Sequence, residues 1–459
     1  MDIKSEFEGA NLGDKRLNKR LEILAETFKK NHGGSILFSC GNWSSTKAAY
    51  RFFDNERFDE EALLEPHVTQ TLNRMGALEK NDPVLMMHDS SEVIFAPHRE
   101  IQGSGFMGTY KHNMTGKEML IKGLMLHSSL AVTTTGIPLG LTAQKSWTRD
   151  VKNRRKIRNA GKCFGRIPIE EKESFKWIEG VNASISNFEP ERVVHICDRD
   201  ADVYELFFNC MSLGTNFVIR AVHQRLTSRD GVKIFDRISR ESSVGEYTLQ
   251  LPKTHKRSAR TARIKVRFYK VRVLPSIDKK KDFPPIDLFV VSAKEHGKSS
   301  KDKVDWKILT NLPIKNFEQA LEKINWYKMR WDIEIFFKVL KSGLNIERSR
   351  LQDVNRIKKF ISFVSVLAWH IFWMTKLSRE SPEASADQCF TKDQKKLLIK
   401  IEKESRRSEL KKSSPLVDFV TSLARLGGYL GRKSDPPPGP IVLWRAMQRF
   451  CDIQLGAGA

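Results

Sequence analysis

Two short apolar runs constrain this chain more than any other feature. Val84-Leu85-Met86-Met87 and Val193-Val194-His195-Ile196 are each followed, two residues on, by an aspartate. Apolar runs of about four to eight residues with polar borders read as buried strands. Asp89 and Asp198 are therefore expected to project from the ends of buried strands. There a rigid sheet fixes the carboxylate and the following loop leaves room for a substrate. Turn and helix-cap aspartates are common, and Asp200 and Asp202 share the cluster around Asp198. Neither acid identifies a site alone.

On either side of these runs the texture differs. Leu17, Leu21, Leu24 and Phe28 recur at helical spacing, with Lys15, Arg16, Lys19 and Arg20 facing away. Gly33-Gly34 stops that helix, and a second begins near Ser44, carrying Tyr50, Arg51, Phe52 and Phe53. Such a unit suits DNA, and equally a solvated face. Leu124–Val132 and Thr135–Leu141 read as a hairpin split at Thr133-Thr134. A β-rich block covers about 245–312. In it Ile264, Val266 and Phe268 alternate with Lys265 and Arg267, and the phase slips before Val271 and Val273 as at a bulge. Leu288–Val291 and Trp306–Leu309 read as further strands. From about 316 the pattern is helical, with Ser381-Pro382 and a charged stretch to about Ser414 linking a C-terminal unit.

Charge narrows the partners. Lys+Arg number 79 against 55 Asp+Glu, a net +24, which favours a polyanion, nucleic acid being the commonest. The six cysteines are scattered without a C-x-x-C, against a disulfide framework or zinc site and in keeping with a reducing cytoplasm. Met1–Gly9 is no secretory signal, and Phe360–Met374 falls short of the roughly 20 residues that span a bilayer. The expectation is a soluble, cytoplasmic protein with no membrane partner and a buried helix at Phe360–Met374. No G-x-x-x-x-G-K-S/T loop is present, which argues against an ATP-driven machine.

The most specific element is NWYKMRWDIEIFFKVLKSG. Tyr327, Arg330, Glu334 and Lys341 are spaced +3, +4 and +7. At about 100° per residue they share an arc of roughly 60° on a helix. Trp326, Ile333, Phe337, Leu340 and Leu344 form the adjacent apolar face. An ordinary Arg–Glu pair at this spacing contributes only about 0.3–0.5 kcal/mol. A catalytic reading requires Glu334 to meet Asp89 and Asp198. Three converging carboxylates repel unless cations sit among them, and two Mg²⁺ about 3.5–4 Å apart would resolve this and drive phosphoryl transfer. Arg330, Lys341 and Tyr327 would then engage phosphate oxygens.

In these residues the chain resembles the DDE transposases of the insertion-sequence-four family, most closely the transposon-five kind. The family motif Y-x-x-R-x-x-x-E-x-x-x-x-x-x-K is matched by Tyr327, Arg330, Glu334 and Lys341. HDSS at Asp89 and CDRDAD at Asp198 match its two aspartates. ANLGDKRLNKRL and AAYRFF resemble its end-binding region, NFVIR with Arg220 its core, and LARLGGYL its dimerising tail.

The resemblance implies an α/β chain: a ribonuclease H-like catalytic core with a β-strand insertion, flanked by helical DNA-binding and dimerisation domains. The expected bounds are 1–62 for end binding, 63–380 for catalysis with the insertion near 245–312, and 381–459 for dimerisation. It further implies an acidic triad of Asp89, Asp198 and Glu334 that is both catalytic and metal-binding, using Mg²⁺ with Mn²⁺ able to substitute. Tyr327, Arg330, Lys341 and Arg220 would bind DNA phosphates, and Trp306 in WKILT would stack on a flipped base. The implied activity is cut-and-paste transposition: cleavage at transposon ends through a hairpin, then joining of 3′ ends to target DNA. The partners would be double-stranded DNA and a second copy in a paired-end complex, in a bacterial, nucleoid-associated setting. A same-fold metal-dependent nuclease and a non-catalytic DNA-binding derivative are the alternatives. The basic runs Lys152, Arg154, Arg155, Lys156, Arg158, Lys162, Arg166 and Lys253, Lys256, Arg257, Arg260, Arg263 suit phosphate contacts.

Overall fold

The computed structural model describes residues 3–30, 35–96, 99–111, 116–150, 167–227, 231–251, 258–297, 303–405, 409–432 and 434–456. In chain order the elements are α1 (Lys15–Lys30), α2 (Ile36–Cys40), α3 (Trp43–Phe53), α4 (Glu60–Gly76), β1 (Val84–Ile94), β2 (Gly105–Lys111), β3 (Glu118–Val132) and β4 (Pro138–Trp147). There follow α5 (Phe175–Ile185), β5 (Val193–Cys197), α6 (Tyr204–Ser212), β6 (Asn216–Arg220), α7 (Ile234–Arg240), β7 (Gly245–Leu251), β8 (Arg260–Val273), β9 (Ile286–Glu295) and β10 (Asp305–Thr310). The helices α8 (Phe317–Met329), α9 (Trp331–Lys338), α10 (Val354–Glu380), α11 (Lys392–Glu404), α12 (Leu416–Leu426) and α13 (Pro440–Gly456) complete the chain. The chain folds as two compact units, one of residues 79–89 and 156–332, the other of 1–78, 90–155 and 333–459.

In the first unit the strands lie in the order β1-β5-β6-β10-β9-β8-β7. β1, β5 and β6 are parallel, and the pairs from β6 onward are antiparallel. β5 is buried at every position, as a strand covered on both faces must be. Trp177 of α5, Phe207 of α6, Phe217 of β6 and Leu309 of β10 share one core with Val271 and Val273 of β8.

The bulge expected before Val271 is absent. The β8–β9 ladder runs unbroken from Ile264↔Glu295 to Val273↔Ile286. What changes along β8 is the covered face. Val266 pairs with Gly245, whose α-hydrogen side meets the Phe317 ring of α8 so closely that a Cβ would collide. Further along, Tyr269 donates its hydroxyl to the Ile234 carbonyl of α7 at 3.0 Å. Two helices cover two faces, and the buried phase inverts between them.

The second unit pairs the later part of β1 with β3, and β3 with β2 and β4. The β3–β4 hairpin turns over 133–137, with Gly136 at φ +96. α10 has 27 residues, well beyond the apolar stretch that marks it in the sequence, and is buried along most of its length. Asp353 caps it by accepting from the Asn355 and Arg356 amides, so the helix continues through polar turns that hydropathy alone would exclude. Phe363 of α10 stacks on Phe7 at 5.4 Å and meets Phe28 edge-on at 5.2 Å. Beside them, Glu6 accepts two hydrogen bonds from Arg74 (2.7 and 3.0 Å) and lies 2.6 Å from His67 Nδ1. His67 Nε2 accepts the Leu141 amide at 3.0 Å, so its proton sits on Nδ1 and points at Glu6.

Candidate active site

β1 and β5 run side by side in register, with Met87 opposite Ile196. Asp89 and Asp198 each lie two residues beyond that pair. Period two places both on one face, on strands about 4.8 Å apart. One expectation needs correction: Asp89 is inside β1, not at its end. The parallel ladder stops here, yet β1 continues because its later part pairs with β3. Asp198 does leave the sheet. Its carboxylate accepts the Asp200 amide at 2.8 Å and caps the turn Arg199–Ala201.

Burial holds the Asp198 carboxyl above the usual range, and the charge of Asp200 adds to this. The Asp200 amide and Arg330 pull the other way without prevailing. The Cys197 thiol is pushed well up, chiefly by burial and also by Cys210, Asp198 and Asp89. Arg330 Nη1 donates to Asp89 Oδ2 at 2.9 Å, with the side chains only 13% and 15% exposed.

Behind this pair stands Tyr327, whose buried phenol is raised by desolvation while Arg330 and Arg220 lower it, Arg220 through a hydrogen bond. Arg220 ends β6 opposite Ile308 of β10. Two residues along β10, Trp306 meets the Tyr327 ring edge-on, 5.7 Å between centroids at 70°. Trp306 is half-buried. Asp89, Asp198, Arg220, Trp306, Tyr327 and Arg330 thus gather in one unit.

Family models match three regions of the chain. A model described as transposase DNA-binding matches residues 3–58, one described as transposase DDE domain matches 178–370, and one described as transposase Tn5 dimerisation domain matches 366–458. The chain belongs to the Tn5-type DDE transposases. The transposase carries a DNA-binding region, a region that cuts and joins nucleic acid and a region for homodimer formation. Asp198 and Glu334 fall within the matched DDE domain, and Asp89 precedes it.

Tyr327, Arg330, Glu334 and Lys341 do not share an uninterrupted α-helix. In the transposase α8 ends at Met329, α9 begins at Trp331, and Lys341 lies in a π-helical segment, Val339–Gly343. The wider turn takes up an extra residue, which no fixed angular period anticipates. Glu334 and Lys341 belong to the unit that contains 333–459. Glu334 is partly exposed there. Lys341 Nζ donates to the Glu92 carbonyl at 2.7 Å and faces Glu347 at 3.3 Å. The apolar face is as expected: Trp326, Ile333, Phe337, Leu340 and Leu344 are all buried.

Sequence reasoning missed a pair behind the acids. His88 and His195 are fully buried on the opposite face of the same strands, ring nitrogens 2.8 Å apart. Burial lowers His88 to about 3 and His195 well below its ordinary value, so both rings are neutral and one donates to the other. The signal available was a histidine directly after one apolar run, His88, and another inside the second, His195. Among the described residues no three His, Cys, Asp or Glu side chains form a metal-holding group. Asp89 and Asp198 nevertheless fit a hard cation, as oxygen donors on one face with Asp198 desolvated. Of the basic runs, Arg260 and Arg263 are described. Lys152, Arg154, Arg155, Lys156, Arg158, Lys162, Arg166, Lys253, Lys256 and Arg257 lie outside the described residues.

Proposed function

We propose that the transposase excises a mobile DNA segment and inserts it elsewhere: it cleaves transposon ends through a hairpin and joins the 3′ ends to target DNA. The observation that carries this reading is the Asp89–Arg330 ion pair beside the desolvated Asp198, at the end of a parallel ladder. Asp89, Asp198 and Glu334 would hold divalent cations, Mg²⁺ with Mn²⁺ as substitute, which when bound activate the attacking oxygen and stabilise the leaving one. Arg330, now on Asp89, has five donors in a planar fork and can turn to a phosphate. Arg220, Tyr327 and Lys341 supply further phosphate donors, and Trp306 offers its half-buried face to an unstacked base. The working division is 1–62 for end binding, 63–380 for chemistry with its insertion near 245–312, and 381–459 for dimerisation. The active species is a homodimer holding two ends.

Incubation with Mg²⁺, DNA carrying the inverted repeats that flank the coding sequence, and a target plasmid tests this. Hairpin ends and joined products are expected. Cleavage without joining would reduce the protein to a nuclease, and binding without cleavage to a DNA-binding derivative.

A further inference from the structure

In the region matched as DNA-binding, α2 and α3 meet at a tight turn. Gly41 takes φ +69, and Asn42 caps α3 by accepting the Ser45 amide at 2.8 Å. Thr46, Ala49, Phe52 and Phe53 bury one face of α3. The opposite face carries Trp43, Lys47 and Arg51 at i, i+4 and i+8, one above another and all exposed. Trp43 is 74% exposed, more than any other tryptophan or phenylalanine among the described residues, and Phe38 of α2 is 56% exposed. A soluble fold gains nothing by presenting an indole to water at a helix start, and such patches mark contact surfaces.

The charge around it selects the partner. From Thr27 to Phe53 the sequence contains no Asp or Glu, and it contains Lys29, Lys30, Lys47 and Arg51. Among the described residues Lys47 and Arg51 make no ion pair. An aromatic tip followed by two unneutralised cations, on a helix that follows a short helix and a tight turn, suits the DNA major groove. In helix-turn-helix proteins the N-terminal residues of the second helix reach base edges while cations further along meet phosphates.

We propose that α3 reads the transposon end in the major groove, with Trp43 packed against thymine methyl groups and Lys47 and Arg51 on the phosphates. This rests on the proposed function in one respect, that this region holds the ends. Thymine carries the one methyl group in that groove, so an apolar side chain there discriminates sequence.

Full-length protein and its Trp43→Ala and Trp43→Phe variants are titrated into labelled end DNA and unrelated DNA of equal length. A second series replaces the end's thymines by uracil one at a time, which removes the methyl and keeps every hydrogen-bonding group. Trp43→Ala should weaken end binding about ten- to thirtyfold, as for an anchoring aromatic, and leave unrelated DNA within about twofold. Trp43→Phe should recover part of the loss. At least one uracil should weaken the wild type and not Trp43→Ala. Lys47→Ala and Arg51→Ala should weaken both DNAs and each lower the salt slope by about one. An unchanged thermal melt is expected for an exposed site. End affinity unaffected by Trp43→Ala, or uracil penalties equal in wild type and variant, would overturn the proposal. So would normal single-end binding with lost end pairing, which would assign the face to a second copy. Wild-type protein unable to tell ends from other DNA would instead overturn the proposed function, and this inference with it.

Discussion

Two carboxylate–arginine sites, one in each unit, solve the same electrostatic problem in opposite ways. Glu6 is 1% exposed and saturated: Arg74 donates to both its oxygens and His67 adds a third partner. Its burial alone would raise the carboxyl, but His67 and Arg74 overcome this and hold it at about 2. Asp89 pairs with Arg330, and Asp198 accepts a hydrogen bond from the Asp200 amide of its own turn, with its carboxyl held up by burial. A saturated buried carboxylate holds structure together. One that is desolvated and only partly satisfied gains from a cation, and that readiness is what metal-assisted chemistry uses.

The largest effect that can break this contrast is on catalysis. Asp89→Ala, Asp198→Ala and Glu334→Ala should each reduce cleavage of end DNA to background while gel shifts show nearly normal end binding. Strong cleavage by any of them removes that acid from the triad.

Glu6→Gln addresses the saturated site. It leaves the partly buried Arg74 beside a neutral partner and should cost about 3–5 kcal/mol of folding stability. The wild type carries a pH signature. A carboxyl lowered from 4.5 to about 2 stabilises the fold fully above 4.5, and that share is lost as pH falls toward about 2. Acid unfolding curves should therefore be steeper for the wild type than for Glu6→Gln across that window. Parallel curves would show that the network contributes nothing.

Trp306 stands beside Tyr327 in the unit that holds Asp89 and Asp198. Stacking of a base on an aromatic ring contributes about 1–3 kcal/mol, so Trp306→Ala should slow hairpin formation roughly 5- to 150-fold with the first nick nearly normal. Equal loss of both steps with a lowered melting temperature would make Trp306 a packing residue against Tyr327. The smallest effect is on the stability of Asp198→Asn. A carboxyl held above its ordinary value costs stability when ionised, so at pH 7 the amide should melt at the wild-type temperature or slightly above. Mg²⁺ should raise the melting temperature of the wild type and not of this variant. A markedly lower melting temperature for Asp198→Asn would place Asp198 with Glu6, as a structural acid.

By itself the sequence determined the buried strands that lead to Asp89 and Asp198, because a run of four apolar residues between polar ones has few other places to go. It determined the amphipathic face of Trp326, Ile333, Phe337, Leu340 and Leu344, which follows from local spacing, and it carries the family motif at Tyr327, Arg330, Glu334 and Lys341. Tertiary structure alone decided that β1 and β5 are adjacent, parallel and level, which sets both aspartates on one face and joins His88 to His195 behind them. It decided that Arg330 neutralises Asp89, a contact across 241 residues of chain. It also decided the turn at Arg330, the π segment under Lys341, and the change of covered face along β8. Periodicity reports which side of an element is apolar. Which partner covers that side, and where a helix yields to fit it, depends on residues far away in the chain.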